Sequence, residues 1–219
     1  AVVFDLDGTL TDTESDWDVV RRGLAAEDGV AWPDGATAAM IGMSTQEWSA
    51  YLSEVVGLPG TAEDAARRTI EGLQSLYRTG LKVLPGAQAA VARIGSHWTL
   101  GLASSSPRVL IDQSLATMGI TGSFATTVST EELQDAPGKP APDVYLEVCR
   151  RLGVEPGRAV AIEDAPNGLR AAHAAGMKVV AIPPHFHPPT ADVLALADLV
   201  VDSLDDLTVD LIAALLREP

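Results

Sequence analysis

The fold is decided by residues 1–10, which read AVVFDLDGTL. Val2–Phe4 is a short apolar run rich in β-branched residues, and it stops at Asp5. A continuous apolar run of this length is typical of a strand buried on both faces of a parallel sheet. Polar residues that follow such strands lie at the sheet edge where ligands bind in open α/β proteins. The stretch therefore predicts an α/β fold with Asp5 and Asp7 at its functional edge.

The same pattern, an apolar run that stops at a polar residue or a proline, recurs along the chain. Four further runs show it: 98–103, 159–162, 179–182 and 199–201. Residues 124–128 form a weaker strand candidate. Helical patterns lie between these runs, at 107–118, 142–152 and 167–175. Alternating strands and helices predict a parallel sheet with helices covering its faces.

Residues 12–81 differ from the rest of the chain, because they contain three helical patterns and no strand. Ser44 and Glu47 have the spacing of a capping box at the start of a helix. Thr61 has the character of an N-cap ahead of another helix. An all-helical block inserted after the first strand of an α/β core predicts a cap over the functional edge.

The composition indicates a folded, acidic protein. The chain has 219 residues, 47% of them hydrophobic, and a formal net charge of −15 from 15 basic and 30 acidic residues. This charge disfavours nucleic acid and anionic membrane surfaces as partners, since both are polyanions. The single cysteine, Cys149, excludes an intrachain disulfide and has the setting of a buried small side chain. Without a recognisable signal peptide or membrane segment, we expect a cytoplasmic protein, as a monomer or a weak homo-oligomer.

Asp5 and Asp7 are the first candidates for chemistry. Their carboxylates leave the strand end close together, and like charges at short range need a counter-charge. A Mg²⁺ ion supplies one, because hard cations take oxygen ligands. Gly8 permits an unusual turn beside them. The alternative is a polar loop in which an aspartate and Thr9 cap the chain.

Two candidate phosphate-binding groups follow. The run Ser104, Ser105 and Ser106 lies directly before Pro107, where a strand end meets a helix start, and Ser104 and Ser105 are the candidates for binding phosphate. Hydroxyls and free helix N–H groups bind phosphate, although ordinary helix capping explains the same residues. Lys139 lies between a glycine and a proline, so it cannot be in mid-helix. It is either a point charge for a phosphate or a solvated loop lysine.

Glu163 and Asp164 end another predicted strand, just before a helix that begins near Asn167. Helix capping accounts for one of these acids. Two acids at the end of a buried strand are hard to explain without a cation. The pair completes a set of four polar groups, each placed after a predicted strand.

This ordered set of acids, hydroxyls, lysine and acids resembles the motifs of the haloacid dehalogenase superfamily. The matching positions, in motif order, are Asp5, Asp7, Gly8 and Thr9; Ser104; Lys139; and Glu163 with Asp164. The resemblance extends over essentially the whole chain. Within the superfamily, the sequence is similar to the branch that includes β-phosphoglucomutase and small-metabolite phosphatases. It implies a Rossmann-like core of residues 1–11 and 82–219 and a helical cap of residues 12–81.

The resemblance also implies a mechanism and a substrate class. Asp5 is the nucleophile that forms an aspartyl-phosphate, and Asp7 is first the general acid and then the base. The implied Mg²⁺ ligands are the Asp5 carboxylate, the Asp7 backbone carbonyl and Asp164, with Glu163 as a direct or water-mediated helper. The implied phosphate-binding residues are Ser104, Ser105 and Lys139. The expected reaction is hydrolysis of a small phosphorylated metabolite, for example a sugar phosphate.

Other functions known on this fold fit the sequence less well than hydrolysis. β-Phosphoglucomutases carry a cap histidine whose position falls at Trp17, and the chain has no histidine between Asp5 and Tyr77. This favours hydrolysis over a phosphomutase, which stays the alternative. A non-catalytic binding module fits less well, because every catalytic position is filled. Dehalogenase chemistry gives Asp7 no role, and the cap lacks the lysine that phosphonate hydrolysis needs.

The cap carries the specificity. Gly42, Met43 and Ser44 resemble a cap segment that faces the active site in relatives, although Met43 is equally suited to a core. Trp17 and Trp48 either line the cleft or belong to the core of the cap. Arg21 and Arg22 are either solvated or bind a substrate anion, and we expect them to be solvated. His185 and His187 are expected in an exposed loop rather than in a metal site.

Overall fold

A six-stranded parallel sheet forms the centre of the molecule. The computed structural model describes residues 1–41, 43–133, 136–184 and 188–217. The strands are β1 (Val2–Phe4), β2 (Leu100–Ser104), β3 (Thr126–Ser129), β4 (Val160–Glu163), β5 (Lys178–Ala181) and β6 (Leu199–Val200). Their spatial order is β3-β2-β1-β4-β5-β6, and every neighbouring pair is parallel. The predicted α/β fold is confirmed, including the weaker strand candidate, which is β3.

Helices cover both faces of this sheet. They are α5 (Ala87–Gly95), α6 (Arg108–Thr117), α7 (Asp143–Leu152), α8 (Pro166–Ala174), α9 (Ala191–Leu194) and α10 (Val209–Leu215). Alternate residues of β1 point to opposite faces, so Phe4 packs in one apolar cluster and Val3 in the other. Cys149 of α7 is buried in the second cluster, as expected, and burial raises the pKa of its thiol. No helix in the described part of the chain is long and apolar enough to cross a membrane.

Between β1 and α5 the described residues form helices and none of the six strands. The helices are α1 (Glu14–Glu27), α2 (Ala36–Met40), α3 (Thr45–Tyr51) with a π-helical turn at Leu52–Val56, and α4 (Ala62–Gly80). Both predicted caps are confirmed, since Ser44 with Glu47 and Thr61 with Asp64 form reciprocal capping boxes. The predicted number of three helical patterns is wrong: the described residues of this segment form four α-helices, and α2, with only five residues, is too short to show a periodic pattern.

The two crossings into and out of this helical segment lie side by side. Thr11 forms an antiparallel bridge with Val83, and the N–H of Asp12 donates to the carbonyl of Lys82 at 2.9 Å. The helical segment also contacts a helix of the sheet, because Leu73 and Tyr77 of α4 pack against Leu110 of α6. The expected division into a core (1–11 and 82–219) and a cap (12–81) stays a prediction.

Candidate active site

The carboxyl ends of β1 and β4 bring three acidic side chains together. Phe4 pairs in register with Ile162, so Asp5 and Glu163 follow as neighbours at the same edge of the sheet. The N–H of Asp5 donates to the carbonyl of Ile162 at 3.0 Å. Carboxylate oxygens of Asp5, Glu163 and Asp164 all lie within 4.8 Å of one another, and all three residues are buried.

Lys139 enters this cluster from the segment before α7. Its Nζ lies 2.6 Å from Oδ1 of Asp5 and 2.6 Å from Oε1 of Glu163, and it donates to the Ala103 carbonyl at 3.1 Å. Its side chain is only 5% exposed, so the interpretation as a solvated loop lysine is wrong. Burial lowers the pKa of Lys139, but the carboxylates of Asp5 and Glu163 outweigh burial and raise it above its usual range. The lysine is therefore a fixed positive charge against Asp5.

The carboxylate of Glu163 accepts hydrogen bonds from two side chains and from two backbone N–H groups. Oε1 accepts from Lys139 and, at 2.6 Å, from the hydroxyl of Tyr145, a residue of α7. Oε2 accepts from the backbone N–H groups of Asp164 and Ala165. A Cβ at Gly168 would lie 1.8 Å from Oε1, so a glycine is required where α8 passes this carboxylate. Glu163 thus positions Lys139.

The side chain of Asp164 packs against the turn formed by Gly8 and Thr9. Its Oδ1 accepts from the hydroxyl of Thr9 at 3.0 Å. Gly8 has a positive φ of 92°, and a Cβ there would lie 2.1 Å from Oδ2 of Asp164. Burial raises the pKa values of Asp5 and Asp164 well above their usual range, with Glu163 adding to both and Lys139 opposing the rise at Asp5. Three buried carboxylates lie beside one ammonium group, which contacts two of them, and such an excess of hard oxygen donors fits a divalent cation such as Mg²⁺.

Asp7 is less buried than Asp5 and is held by hydroxyls. Thr13 donates to its Oδ1 at 2.5 Å, and Ser106 donates to its Oδ2 at 2.6 Å. Ser104 contacts the same Oδ2 at 3.5 Å. These donors aim the Asp7 carboxylate into the cleft that Asp5 also lines.

The serines at the end of β2 and just after it do not cap the following helix. The N-cap position of α6 is Pro107, which has no capping side chain. Ser104 is fully buried and accepts from the N–H of Ser106 at 3.0 Å, whereas Ser105 and Ser106 line the cleft. Ser106 belongs to the predicted run of serines, but its hydrogen bond to Asp7 is not predicted by the sequence. Tyr145 was missed, because it looks like an ordinary core residue of an amphipathic helix.

The helical segment closes the cleft from above with an apolar surface. That surface consists of Trp17, Met40, Ile41, Met43 and Trp48. Met43 therefore lines the cleft as expected, while Ser44 uses its side chain in the capping box with Glu47 and is not among the described residues that line it. Gly42, His185 and His187 lie outside the described residues.

The prediction that Arg21 is solvated is wrong, because the residue is buried. It lines the cleft, and its guanidinium group contacts the rings of both Trp17 and Trp48. Trp48 covers it from α3, a contact that the pattern of α1 alone does not show. Arg22 is half-exposed and ion-paired to Asp18 at 2.7 Å, as expected for a solvated arginine.

Comparisons with known proteins agree with this geometry. The model of the haloacid dehalogenase-like hydrolase family matches residues 1–176. Hexitol phosphatase B of Escherichia coli (strain K12) is 34% identical over 216 residues, which cover 95% of this chain and 94% of the relative. Phosphorylated carbohydrates phosphatase of Thermotoga maritima is 30% identical over 179 residues, which cover 81% of this chain and 82% of the relative.

A solved structure is similar over the whole fold. β-Phosphoglucomutase from Clostridium difficile matches with a TM-score of 0.82 at 25% identity, covering 99% of this chain and 96% of that one. The chain belongs to the haloacid dehalogenase-like hydrolase family. It is therefore an enzyme of the hydrolase class with a Rossmann-like core.

Proposed function

We propose that this enzyme is a Mg²⁺-dependent phosphatase that hydrolyses a small phosphorylated carbohydrate or polyol through an aspartyl-phosphate on Asp5. The observation that carries the proposal is the position of Asp5, at the end of β1, 2.6 Å from Lys139 and beside Asp164. Two relatives that align with this chain over most of their own length are a hexitol phosphatase and a phosphorylated carbohydrates phosphatase. Their substrates support the proposed substrate class.

The donor set supports Mg²⁺ as the cofactor. Asp5 and Asp164 would hold the ion by carboxylate oxygens, together with the backbone carbonyl of Asp7. Glu163 would act indirectly, since its oxygens already bind Lys139, Tyr145 and two backbone N–H groups. When bound, Mg²⁺ supplies positive charge that neutralises the phosphoryl oxygens.

In the first chemical step, an Oδ atom of Asp5 attacks the phosphorus and the bond to the ester oxygen breaks. The carboxyl group of Asp7 gives its proton to that oxygen, so the carbohydrate leaves as an alcohol. Lys139 binds the phosphoryl oxygens and opposes the burial that raises the pKa of Asp5, so it favours the ionised carboxylate that nucleophilic attack needs. Ser105, which lines the cleft, is placed to donate to the same oxygens.

In the second step, the carboxylate of Asp7 takes a proton from a water molecule, and the resulting hydroxide oxygen attacks the phosphorus. The bond between phosphorus and Asp5 then breaks, which releases inorganic phosphate and restores both aspartates. The hydroxyls of Thr13 and Ser106 hold Asp7 in one orientation for both proton transfers. Positioning and charge neutralisation supply most of the catalysis in such reactions.

Residues 12–81 are proposed to act as the cap that selects the leaving group and excludes bulk water. The paired crossings at Thr11 and Val83 support this division of the chain. The apolar cleft surface that includes Trp17 and Met43 supports the role in selection.

A phosphomutase is the second candidate, supported by the structural similarity to a β-phosphoglucomutase. Trp17 argues against it, because by its spacing from Asp5 this residue takes the sequence position of the mutase histidine, and an indole cannot shuttle a proton to a second sugar hydroxyl. Analysis of the products from a hexose 1-phosphate distinguishes the two, since a mutase yields the hexose 6-phosphate and a phosphatase yields free hexose.

The experiment that tests the proposed function is phosphate release from a panel of phosphorylated carbohydrates, polyols and other metabolites. Each compound is assayed with Mg²⁺ and with a chelator, and Asp5→Asn protein serves as the blank. We expect Mg²⁺-dependent release that is absent from the blank. A lack of release from every compound by the folded wild-type protein contradicts the proposal and favours a non-catalytic binding role.

A further inference from the structure

Arg21 is an unusual arginine, because it is buried in the wall of the cleft and held by two tryptophans. The residue is 8% exposed. Its guanidinium carbon lies 4.6 Å from the ring centre of Trp17 and 4.9 Å from that of Trp48. The two indoles meet edge to face, with centroids 5.6 Å apart. A guanidinium flanked by aromatic rings keeps its N–H donors in its own plane, away from the ring faces.

The donors of Arg21 are not all used within the protein. Its Nε is buried, and among the residues that the structure describes it has no hydrogen-bond partner. Burial lowers the pKa of Arg21 to about 10 against the opposing effect of Asp18, so the group remains protonated at neutral pH. A buried charge with an unpartnered donor costs free energy, and a ligand atom that contacts the guanidinium where it lines the cleft would offset part of that cost.

The surroundings of Arg21 favour a hydroxyl over a second anionic group as its ligand. Glu14 and Asp18 line the same cleft, and their charges would repel a carboxylate or a second phosphate. A hydroxyl accepts from a guanidinium and also donates to a carboxylate, so it suits a wall that carries both. The ring of Trp17 adds an apolar surface for the C–H groups of a carbohydrate.

We propose that Arg21, held against Trp17 and Trp48, determines specificity by donating a hydrogen bond to a hydroxyl of the carbohydrate or polyol leaving group. This inference rests on the proposed function, since it names a contact to the leaving group of that reaction. Arg21 touches no reacting atom in this account. Its loss should therefore affect esters with a hydroxylated leaving group and spare esters without one.

The test compares three esters: sorbitol 6-phosphate, p-nitrophenyl phosphate, which has no hydroxyl on its leaving group, and 2-phosphoglycolate, which carries a second anion. The variants are Arg21→Met, which keeps much of the volume of the side chain without its donors, and Arg21→Lys, which keeps the charge without the planar fork. Arg67→Ala removes an exposed arginine of α4 and controls for net charge.

We expect Arg21→Met to lower kcat/KM for sorbitol 6-phosphate by about 10- to 100-fold, the value of a hydrogen bond to a charged group. Hydrolysis of p-nitrophenyl phosphate should stay within about twofold of wild type, which also reports correct folding. Arg21→Lys should not restore the loss, because a lysine lacks the stacked planar donors. Arg67→Ala should behave as wild type on all three esters.

Several results would overturn the inference without touching the proposed function. For Arg21→Met, these are an equal loss of kcat/KM on sorbitol 6-phosphate and p-nitrophenyl phosphate, no loss on either ester, or a loss confined to 2-phosphoglycolate. For the wild-type protein, the contradicting result is cleavage of p-nitrophenyl phosphate but not of sorbitol 6-phosphate. If wild-type protein cleaves none of the three esters, the inference falls together with the proposed function.

Discussion

The Nζ atom of Lys139 lies 2.6 Å from Oδ1 of Asp5, and both side chains are buried at the carboxyl edge of the sheet. The contact joins residues from opposite parts of the chain, and it sets a positive charge against the proposed nucleophile. The same ammonium group lies 2.6 Å from Oε1 of Glu163, so one lysine connects two of the strand ends that form the site.

Lys139→Met should inactivate the enzyme and weaken the fold. The change removes a charge that stabilises the transition state and leaves the carboxylates of Asp5 and Glu163 buried without their cation. We expect kcat to fall about 10²- to 10³-fold and the free energy of unfolding to fall by about 3–5 kcal/mol. Phosphate release and urea unfolding measure the two effects.

The control for this prediction is Lys178→Met. Lys178 is partly exposed and lies 3.5 Å from Asp198 at the opposite end of the sheet. Its loss should leave kcat unchanged and cost at most about 1 kcal/mol of stability. Equal effects of the two substitutions on kcat would show that Lys139 has no special role.

Gly8→Ala should weaken the affinity for Mg²⁺. A Cβ at Gly8 would lie 2.1 Å from Oδ2 of Asp164, so the carboxylate must move. We expect the Mg²⁺ concentration for half-maximal activity to rise about 10- to 100-fold. Gly29→Ala is the matched control, because Gly29 also has a positive φ but faces open space. An unchanged Mg²⁺ requirement in Gly8→Ala would remove Asp164 from the metal site.

Tyr145→Phe tests the support of Glu163. The substitution deletes a hydroxyl that donates to Oε1 of Glu163 at 2.6 Å in a buried site. We expect the free energy of unfolding to fall by about 1.5–3 kcal/mol, the value of a hydrogen bond to a charged group. The activity should fall less than in Lys139→Met. Tyr51→Phe, at a half-buried position of α3, is the control, and an equal cost for both tyrosines in urea unfolding would contradict the account.

The stability of the fold should depend on pH through Glu147. Its hydrogen bonds from Arg150 and then Arg151 lower the pKa of its carboxyl group from 4.5 to about 2 in the folded protein. A lowered pKa in the folded state stabilises the protein above pH 4.5, and this contribution disappears as the pH falls from 4.5 towards 2. Because the pair lies near the surface, we expect Glu147→Gln to cost only about 1 kcal/mol at pH 7.

At pH 3 the difference between Glu147→Gln and wild type should be smaller than at pH 7, since protonation weakens the same interaction in the wild type. Urea unfolding of both proteins at the two pH values measures the difference. A difference that is the same at pH 3 as at pH 7 would contradict the assigned pKa.

The sequence predicted the parts of the site that depend on strand ends. Parallel strands bring their carboxyl ends to one edge, so Asp5 and Glu163 could be placed together from their positions after apolar runs alone. Lys139 needed the motif resemblance, because a lysine before a helix has no strand register to fix it and its burial depends on the approach of two acids.

The rest depended on packing between distant segments. Arg21 was expected to be solvated, and only the arrival of Trp48 from another helix buries it. The i+4 spacing of Arg21 from Trp17 was a signal for stacking that could have been used. Tyr145 shows no signal at all in the sequence, since its hydroxyl contact exists only because α7 packs against the end of β4.

The most direct test of the central claim is the rate of phosphate release by Asp5→Asn on the preferred ester with saturating Mg²⁺. The substitution is nearly isosteric but removes the nucleophilic carboxylate, so a folded variant is expected with no turnover above the uncatalysed background. Circular dichroism and urea unfolding check that the variant is folded. Wild-type turnover by folded Asp5→Asn would contradict the assignment of Asp5 as the nucleophile.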